Sequence, residues 1–225
     1  MLVVIRLGGS VIASPKNLKL INEYAKLLQK LGENGYKIVT VVGGGSLARE
    51  FIKTGNQLGL KEKEQDWLAI HVSRLYAQLF AFKLGRDGTQ DVPTSLSKAV
   101  EALREGRIVV MGGLEPGMTT DTVAAYVARE VKAQLLVKAT DQDGIYTKDP
   151  RKHEDAKKLD NLTYKDLVRL FEQNSHKAGI HQIIDPVAVK ILQKINIKTV
   201  VVNGYDPQNI RQAIEGKKIG TLITE

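Results

Sequence analysis

Apolar positions along the 225-residue chain fall into two alternating patterns. Short runs rich in Val, Ile and Leu read as buried strands, and longer stretches between them carry apolar residues at helical spacing. The predicted strands are "LVVIRL" (2–7), "YKIVTVV" (36–42), "RIVVMGG" (107–113), "QLLVKA" (134–139) and "KTVVVN" (198–203), with "GTLIT" (220–224) as a last edge strand. Helices are predicted over 18–35, ending near Gly32 and Gly35, and over 47–59, 62–85, 95–106, 119–133, 163–174, 185–196 and 206–216. Thr163 and Asp166 form a capping box, and Asp185-Pro186 is an N-cap followed by proline at the first helical position. In the segment 62–85, Trp67, Ile70, Leu75, Leu79 and Phe82 offer one apolar face, and Trp67 and Phe82 are expected in the core.

Near-continuous apolar strands separated by amphipathic helices indicate an α/β fold, with a mainly parallel sheet covered on both faces. Ligands of such sheets sit at the carboxyl ends of the strands. The loops after Leu7, Val42, Met111 and Ala139 are therefore the places to look for chemistry.

All four are unusual. "RLGGS" (6–10) places Gly8, Gly9 and Ser10 just past a strand, a small set of backbone donors suited to phosphate oxygens. "GGGSLAR" (43–49) has three glycines where a strand-to-helix turn needs one. The surplus is read as N–H groups bared to an anion at a helix N-terminus, and Arg49 lies about one and a half helical turns beyond Gly44. Its spacing matches neither the P-loop nor the dinucleotide glycine pattern. "GGLEPGMTTD" (112–121) ends in Thr119 and Thr120, one of them an N-cap and the other free to line a second phosphate site. Asp121 in the same turn is read as a stabiliser of the helix start that could orient a threonine. "KATDQDGIYTKDP" (138–150) holds turn signals at Asp143-Gly144 and Asp149-Pro150, and also dense polar chemistry. Tyr146 could flank a base there, and Asp149 could accept from a ribose or an amino group. Two phosphate cradles on one sheet fit phosphoryl transfer between two phosphorylated molecules, with Arg6, Arg49 and Lys138 offsetting charge and magnesium supplying the rest.

Composition trims the alternatives. The net charge of +8, from 33 Lys and Arg against 25 Asp and Glu, invites a nucleic-acid partner. The basic clusters near Lys61, Lys157 and Lys217 sit beside acids, however, so they read as solvated surface, and aromatic residues at 5% are too few to stack many bases. There is no cysteine, which excludes disulfides and thiolate metal sites. His71, His153, His176 and His181 lack metal-ligand spacing, and no metal site is expected from them. Apolar runs stop far short of a membrane span, and the opening strand-like segment does not resemble a signal peptide, so a cytoplasmic address is expected.

Taken in series, "VIRLGGS", "VVGGGSLAR", "GGLEPGMTTDTVAA" and "LLVKATDQDGIYTKDP" resemble the amino-acid kinase superfamily, and within it the uridylate (UMP) kinases of archaeal type. The resemblance covers 1–225 as a single domain. It implies a three-layer αβα sandwich with residues to about 135 on the acceptor side and 136–225 on the ATP side. ATP and UMP would give ADP and UDP, with Mg2+ required and a homohexamer as the assembly. Gly9, Ser10, Gly45 and Arg49 would contact ATP phosphates, and Thr140, Asp141, Tyr146 and Asp149 the rest of the nucleotide. Gly44 and Asp66 would contact UMP, and the segment Leu114, Glu115, Pro116, Gly117, Met118, Thr119 and Thr120 would wrap it. Many superfamily members carry lysine where Arg6 stands, and Lys138 could substitute for it. Gly44→Ala and Gly45→Ala are expected to cripple turnover with little loss of stability. The alternatives are another kinase of the superfamily, acting on acetylglutamate or isopentenyl phosphate, or a basic nucleic-acid-binding regulator.

Overall fold

The computed structural model describes residues 1–13, 18–173 and 183–225; His176 and His181 lie outside them. Among the described residues nine strands follow in chain order: β1 (Leu2–Leu7), β2 (Lys37–Val42), β3 (Val109–Met111), β4 (Leu135–Thr140), β5 (Ile145–Tyr146), β6 (Lys158–Leu159), β7 (Asn161–Thr163), β8 (Lys198–Asn203) and β9 (Thr221–Thr224). Seven of them form one sheet in the order β3-β2-β1-β4-β8-β9-β7, and β5 and β6 pair as a separate antiparallel ribbon. Every pairing in the large sheet is parallel except β8 with β9.

The helices are α1 (Gly9–Ile12), α2 (Leu18–Glu33), α3 (Gly45–Gln57), α4 (Glu62–Leu84), α5 (Leu96–Arg104), α6 (Thr120–Glu130), α7 (Tyr164–Gln173), α8 (Pro186–Ile195) and α9 (Gln208–Ile214). The period-two alternation of the strands sorts them onto two faces. Val3, Ile5 and Leu7 of β1 pack with Leu28 of α2, Phe80 of α4 and Ile210 of α9. Val4 of β1 points the other way, into a second core with Val123 of α6, Leu167 of α7 and Val189 of α8. The result is the expected three-layer αβα sandwich. The cap at Thr163 and Asp166 is reciprocal: each backbone N–H donates to the other residue's side chain at 3.0 Å. Asp185 accepts from Val187 N at 2.9 Å.

Two expectations need correction. Phe82 is 72% exposed and Trp67 only partly buried, while Leu75 and Leu79 are 60% and 46% exposed. Of the predicted face only Ile70 is buried, and the rest of the buried side of α4 is Val72, Tyr76, Ala77, Phe80 and Leu84. Leu75, Leu79 and Phe82 also follow i, i+4, i+7 spacing, so periodicity alone did not tell the two stripes apart. The segment "GTLIT" is no edge: β9 lies between β8 and β7. The edge on that side is β7, three residues long, of which only Thr163 falls within a predicted element.

Candidate active site

Because β3, β2, β1 and β4 lie side by side, the four unusual loops share one rim of the sheet. The first two are pressed together. Gly8 N donates to Ala139 O at 2.8 Å, and Gly43 N to Leu7 O at 3.1 Å. A Cβ on Gly9 would stand 2.2 Å from Gly45 N, and one on Gly45 would stand 2.4 Å from Gly9 O. Gly45 also has φ +61, a conformation that costs any L side chain. A Cβ on Gly44 would meet the Cβ of Ala48 at 2.6 Å. So the glycine triplet is first a demand of protein packing, and alanine there cannot leave the fold untouched as expected above. Beside this, the N–H groups of Gly9, Ser10, Gly44 and Gly45 take no partner among the described residues, as an anion cradle would require. Ser10 and Arg49 are exposed at this rim, and Arg49 forms no ion pair among the described residues.

Below the glycines lies a buried charge cluster. Arg6 and Lys138 are neighbours in the register of β1 and β4. Asp121 of α6 stands between them: Arg6 Nε lies 2.6 Å from Asp121 Oδ1, and Lys138 Nζ donates to Oδ2. The Arg6 pair is close but poorly aligned for a hydrogen bond, so it acts as an ion pair. Arg6 Nη2 donates to Thr120 Oγ1 at 2.8 Å. Asp185 N adds a hydrogen bond to Asp121 at 3.2 Å. Burial raises the Asp121 carboxyl, but Arg6 and Lys138 outweigh it and hold the group below the usual carboxylate range. Burial lowers the Lys138 ammonium to about 8, against the upward pull of Asp121. Two cations share one carboxylate, which leaves positive charge in excess where water is scarce, an arrangement that favours an incoming anion.

Asp121 does stand in the first turn of α6, as read from the sequence, but its carboxylate also pairs with Arg6 and Lys138, which that reading did not include. The available signal was two cations on buried strands, which need a counter-charge at the same depth. Thr119 is the N-cap of α6, accepting from Thr122 N at 3.1 Å, and its hydroxyl donates to Asp185 at 2.7 Å. Thr120 is thereby the threonine left for a ligand, with Arg6 beside it.

On the side expected to take the acceptor lies a cavity of about 150 Å³ bordered by Gly44, Asp66, Ser73, Gly113, Met118 and Thr120. Asp66, near the start of α4, accepts from Gly117 N at 2.7 Å, which ties the loop over the cavity. Glu115, Pro116 and Trp67 line a more open hollow beside it. Leu114 is buried in the core, so only its backbone faces this region. On the side expected to take the donor, Thr140 ends β4 and Tyr146 sits on β5, half-buried. Asp149 accepts from Arg151 N at 3.1 Å, and the Arg151 guanidinium reaches both Asp149, at 3.3 Å, and Asp141, at 3.4 Å. The Arg151 N–H, more than the desolvation that opposes it, lowers the Asp149 pKa. Asp143 lies in the bend after β4, and its carboxylate accepts from the distant Asn203 at 2.7 Å, a long-range tie and not the local turn bond read for it. Of the histidines, His71 stacks beside Trp67 at 5.9 Å.

The Amino acid kinase family model matches residues 1–203, most of the chain. The chain belongs to the amino acid kinase family. Among relatives of this kinase, the uridylate kinase of Methanocaldococcus jannaschii is 42% identical over 225 residues, covering 99% of both chains. That of Hyperthermus butylicus is 40% identical, covering 99% of this chain and 97% of its own. In solved structures, the kinase superposes on uridylate kinase from Archaeoglobus fulgidus with a TM-score of 0.89 at 38% identity, covering 100% of each chain. The UMP kinase of Bacillus anthracis, at 23% identity, shares the fold with a TM-score of 0.83 over 99% of this chain and 95% of its own.

Proposed function

We propose that this member of the family is a uridylate kinase, transferring the γ-phosphoryl group of ATP to UMP to give UDP and ADP. The observation that carries it is the cavity closed by Asp66 and Gly117 beside a buried cluster with cationic excess. The UMP phosphate would lie against Thr120 and the start of α6, and uridine toward Asp66 and Met118. The ATP phosphates would take the N–H groups of Gly9, Ser10 and Gly45, with Arg49 reaching from α3. Thr140, Asp141, Tyr146 and Asp149 would hold its nucleoside, so 136–225 serve the donor, while residues to about 135 serve the acceptor and also lend these glycines, Ser10 and Arg49 to the ATP phosphates. As an oxygen of the UMP phosphate attacks the γ-phosphorus, the bond to the β–γ bridging oxygen breaks and ADP leaves. Arg6 and Lys138 offset the charge on the group in transit, and Asp121 holds both in place.

Among the described residues no cluster of three or more His, Cys, Asp or Glu could cage a metal. The described residues fit magnesium held mainly by the phosphates of the nucleotides and not by a protein cage, and it would supply further neutralisation of their charge. No helix among the described residues is long and apolar enough to cross a membrane, in keeping with a cytoplasmic enzyme. The exposed stripe of Leu75, Leu79 and Phe82 supports a homo-oligomer, a hexamer by the resemblance.

The test is a coupled assay of ADP formation with UMP, CMP, AMP and GMP as acceptors. UMP should be strongly preferred. Equal turnover of all four, or none with UMP, overturns the proposal. Oligonucleotide affinity that falls steeply with salt and ignores UMP would favour the regulatory alternative instead.

A further inference from the structure

Arg74 lies inside α4, about two turns beyond Asp66, and no motif announces it. Its Nε donates to Gly113 O at 2.9 Å and its Nη2 to Leu114 O at 2.9 Å. The guanidinium lies 5.8 Å from the centroid of the Trp67 ring. Next to it, Ser73 Oγ accepts from Gly113 N at 2.8 Å. The approach is so close that a Cβ on Gly112 would stand 2.6 Å from Arg74 N. One turn of α4 thus grips the acceptor loop where it leaves β3.

We propose that Arg74 is a positioning residue for the acceptor: it sets the peptide planes of the acceptor loop and so the affinity and choice of the monophosphate. In a trans peptide the C=O of one residue points opposite to the N–H of the next. Holding the carbonyls of Gly113 and Leu114 therefore turns the N–H groups of Leu114 and Glu115 away from the guanidinium. Neither N–H has a partner among the described residues. They are donors in fixed directions, suited to the carbonyl oxygens of a pyrimidine base and unsuited to an amino group in their place. Arginine is the residue for this task because its planar fork spans two acceptors, and the Trp67 face helps fix the plane of that fork. Lysine would reach one carbonyl and leave the other unpaired.

The choice of base rests on the uridylate reading; the grip on the loop does not. The test compares full-length wild type with Arg74→Lys and Arg74→Ala by steady-state kinetics, melting temperature and amide hydrogen exchange over 112–118. For Arg74→Ala, KM for UMP should rise about tenfold, the scale of losing a charged hydrogen bond. Its kcat should fall by less, KM for ATP should stay within about twofold, and the preference for UMP over CMP should shrink. Exchange at 112–118 should rise, and Arg74→Lys should recover part of every change. The proposal is overturned if KM for UMP stays within about twofold of wild type, or if both KM values rise together with a loss of melting temperature. If wild type turns over no UMP, the uridylate reading falls, and exchange alone decides: unchanged exchange in Arg74→Ala overturns the positioning role.

Discussion

Residues 112–121 and residues 140–157 leave the same rim of the sheet and are held in opposite ways. The first loop is gripped by distant parts of the chain: Ser73, Arg74 and Asp66 from α4, Arg6 from β1, Lys138 from β4 and Asp185 from the start of α8. The second is tied to distant strands only near its start, by Gly204 at Thr140, Asn203 at Asp143 and Thr221 at Ile145. Beyond that it is held by pairs of its own, Arg151 to Asp141 and Asp149, Lys148 to Asp155, and Thr147 to Lys157. Its pairs are mostly solvent-exposed, whereas Asp121 and Lys138 are buried. A change in the acceptor loop should therefore disturb fold and turnover together, and a change in the donor loop should touch nucleotide affinity alone.

The hardest test of that contrast is Asp121→Asn. Asparagine keeps the shape but removes the charge that Arg6 and Lys138 share. Leaving buried cations without their partner costs about 3–5 kcal/mol, so the melting temperature should fall clearly. Turnover should drop by roughly a hundredfold or more as the charge-neutralising groups lose their positions. Wild-type stability in calorimetry, with activity lost, would make Asp121 a chemical residue only and weaken the contrast.

Gly9 and Gly45 come next. Each alanine would bring a Cβ into the other loop's backbone, at 2.2 Å and 2.4 Å. Backbone strain of this kind costs roughly 1–3 kcal/mol, visible as a lower midpoint in urea. Since both substitutions break one contact, the double variant should lose less than the two single losses combined. Full additivity would show that the two loops do not depend on each other. Retained stability would restore the view that these glycines serve only the passing phosphoryl group.

The buried lysine adds a prediction in pH. Lys138 sits at about 8 in the folded chain, below its ordinary 10.5. Between those values the unfolded chain holds more protons, so this group adds stability as pH rises through that window. Asp121, held below its ordinary 3.8, contributes stability above that value and loses it as pH falls further. Activity should move the other way at high pH, because a neutral Lys138 no longer offsets phosphate charge. A plot of kcat/KM, which reports the free enzyme, should bend downward near 8 while the contribution of Lys138 to the melting temperature rises. Lys138→Arg should remove the bend. A bend that survives this substitution belongs to another group.

These contrasts were legible in the sequence to different depths. Strand ends and clustered glycines mark all four loops, because buried strands and turns leave strong local patterns. Asp121 did not stand out, since its role depends on β1 and β4 being neighbours, which pairs residues 6 and 138. Ser73 and Arg74 look like ordinary polar positions on a long helix, and only tertiary packing turns them toward Gly113 and Leu114. Charge and hydrogen-bond partners are long-range facts, whereas periodicity is a local one. The same limit explains α4, where two apolar stripes have equivalent spacing and only the sheet decides which is buried.

The smallest effect belongs to Arg151. Its side chain is 57% exposed, and its contacts to Asp141 and Asp149 are 3.4 Å and 3.3 Å. Exposed pairs of this kind are worth about 0.2–1 kcal/mol, so Arg151→Ala should leave the melting temperature unchanged within error. Asp149 would keep the Arg151 backbone N–H, which alanine still supplies at that position. What it loses is the guanidinium that orients its carboxylate and that of Asp141 toward the donor nucleoside. KM for ATP should rise about two- to fivefold, the kinetic equivalent of such a pair, with KM for UMP unmoved. A rise in KM for UMP of the same size would mean that the two loops are coupled. A fall in KM for ATP would mean that Arg151 competes with the nucleotide for these carboxylates, making the donor loop self-occluded instead of pre-arranged.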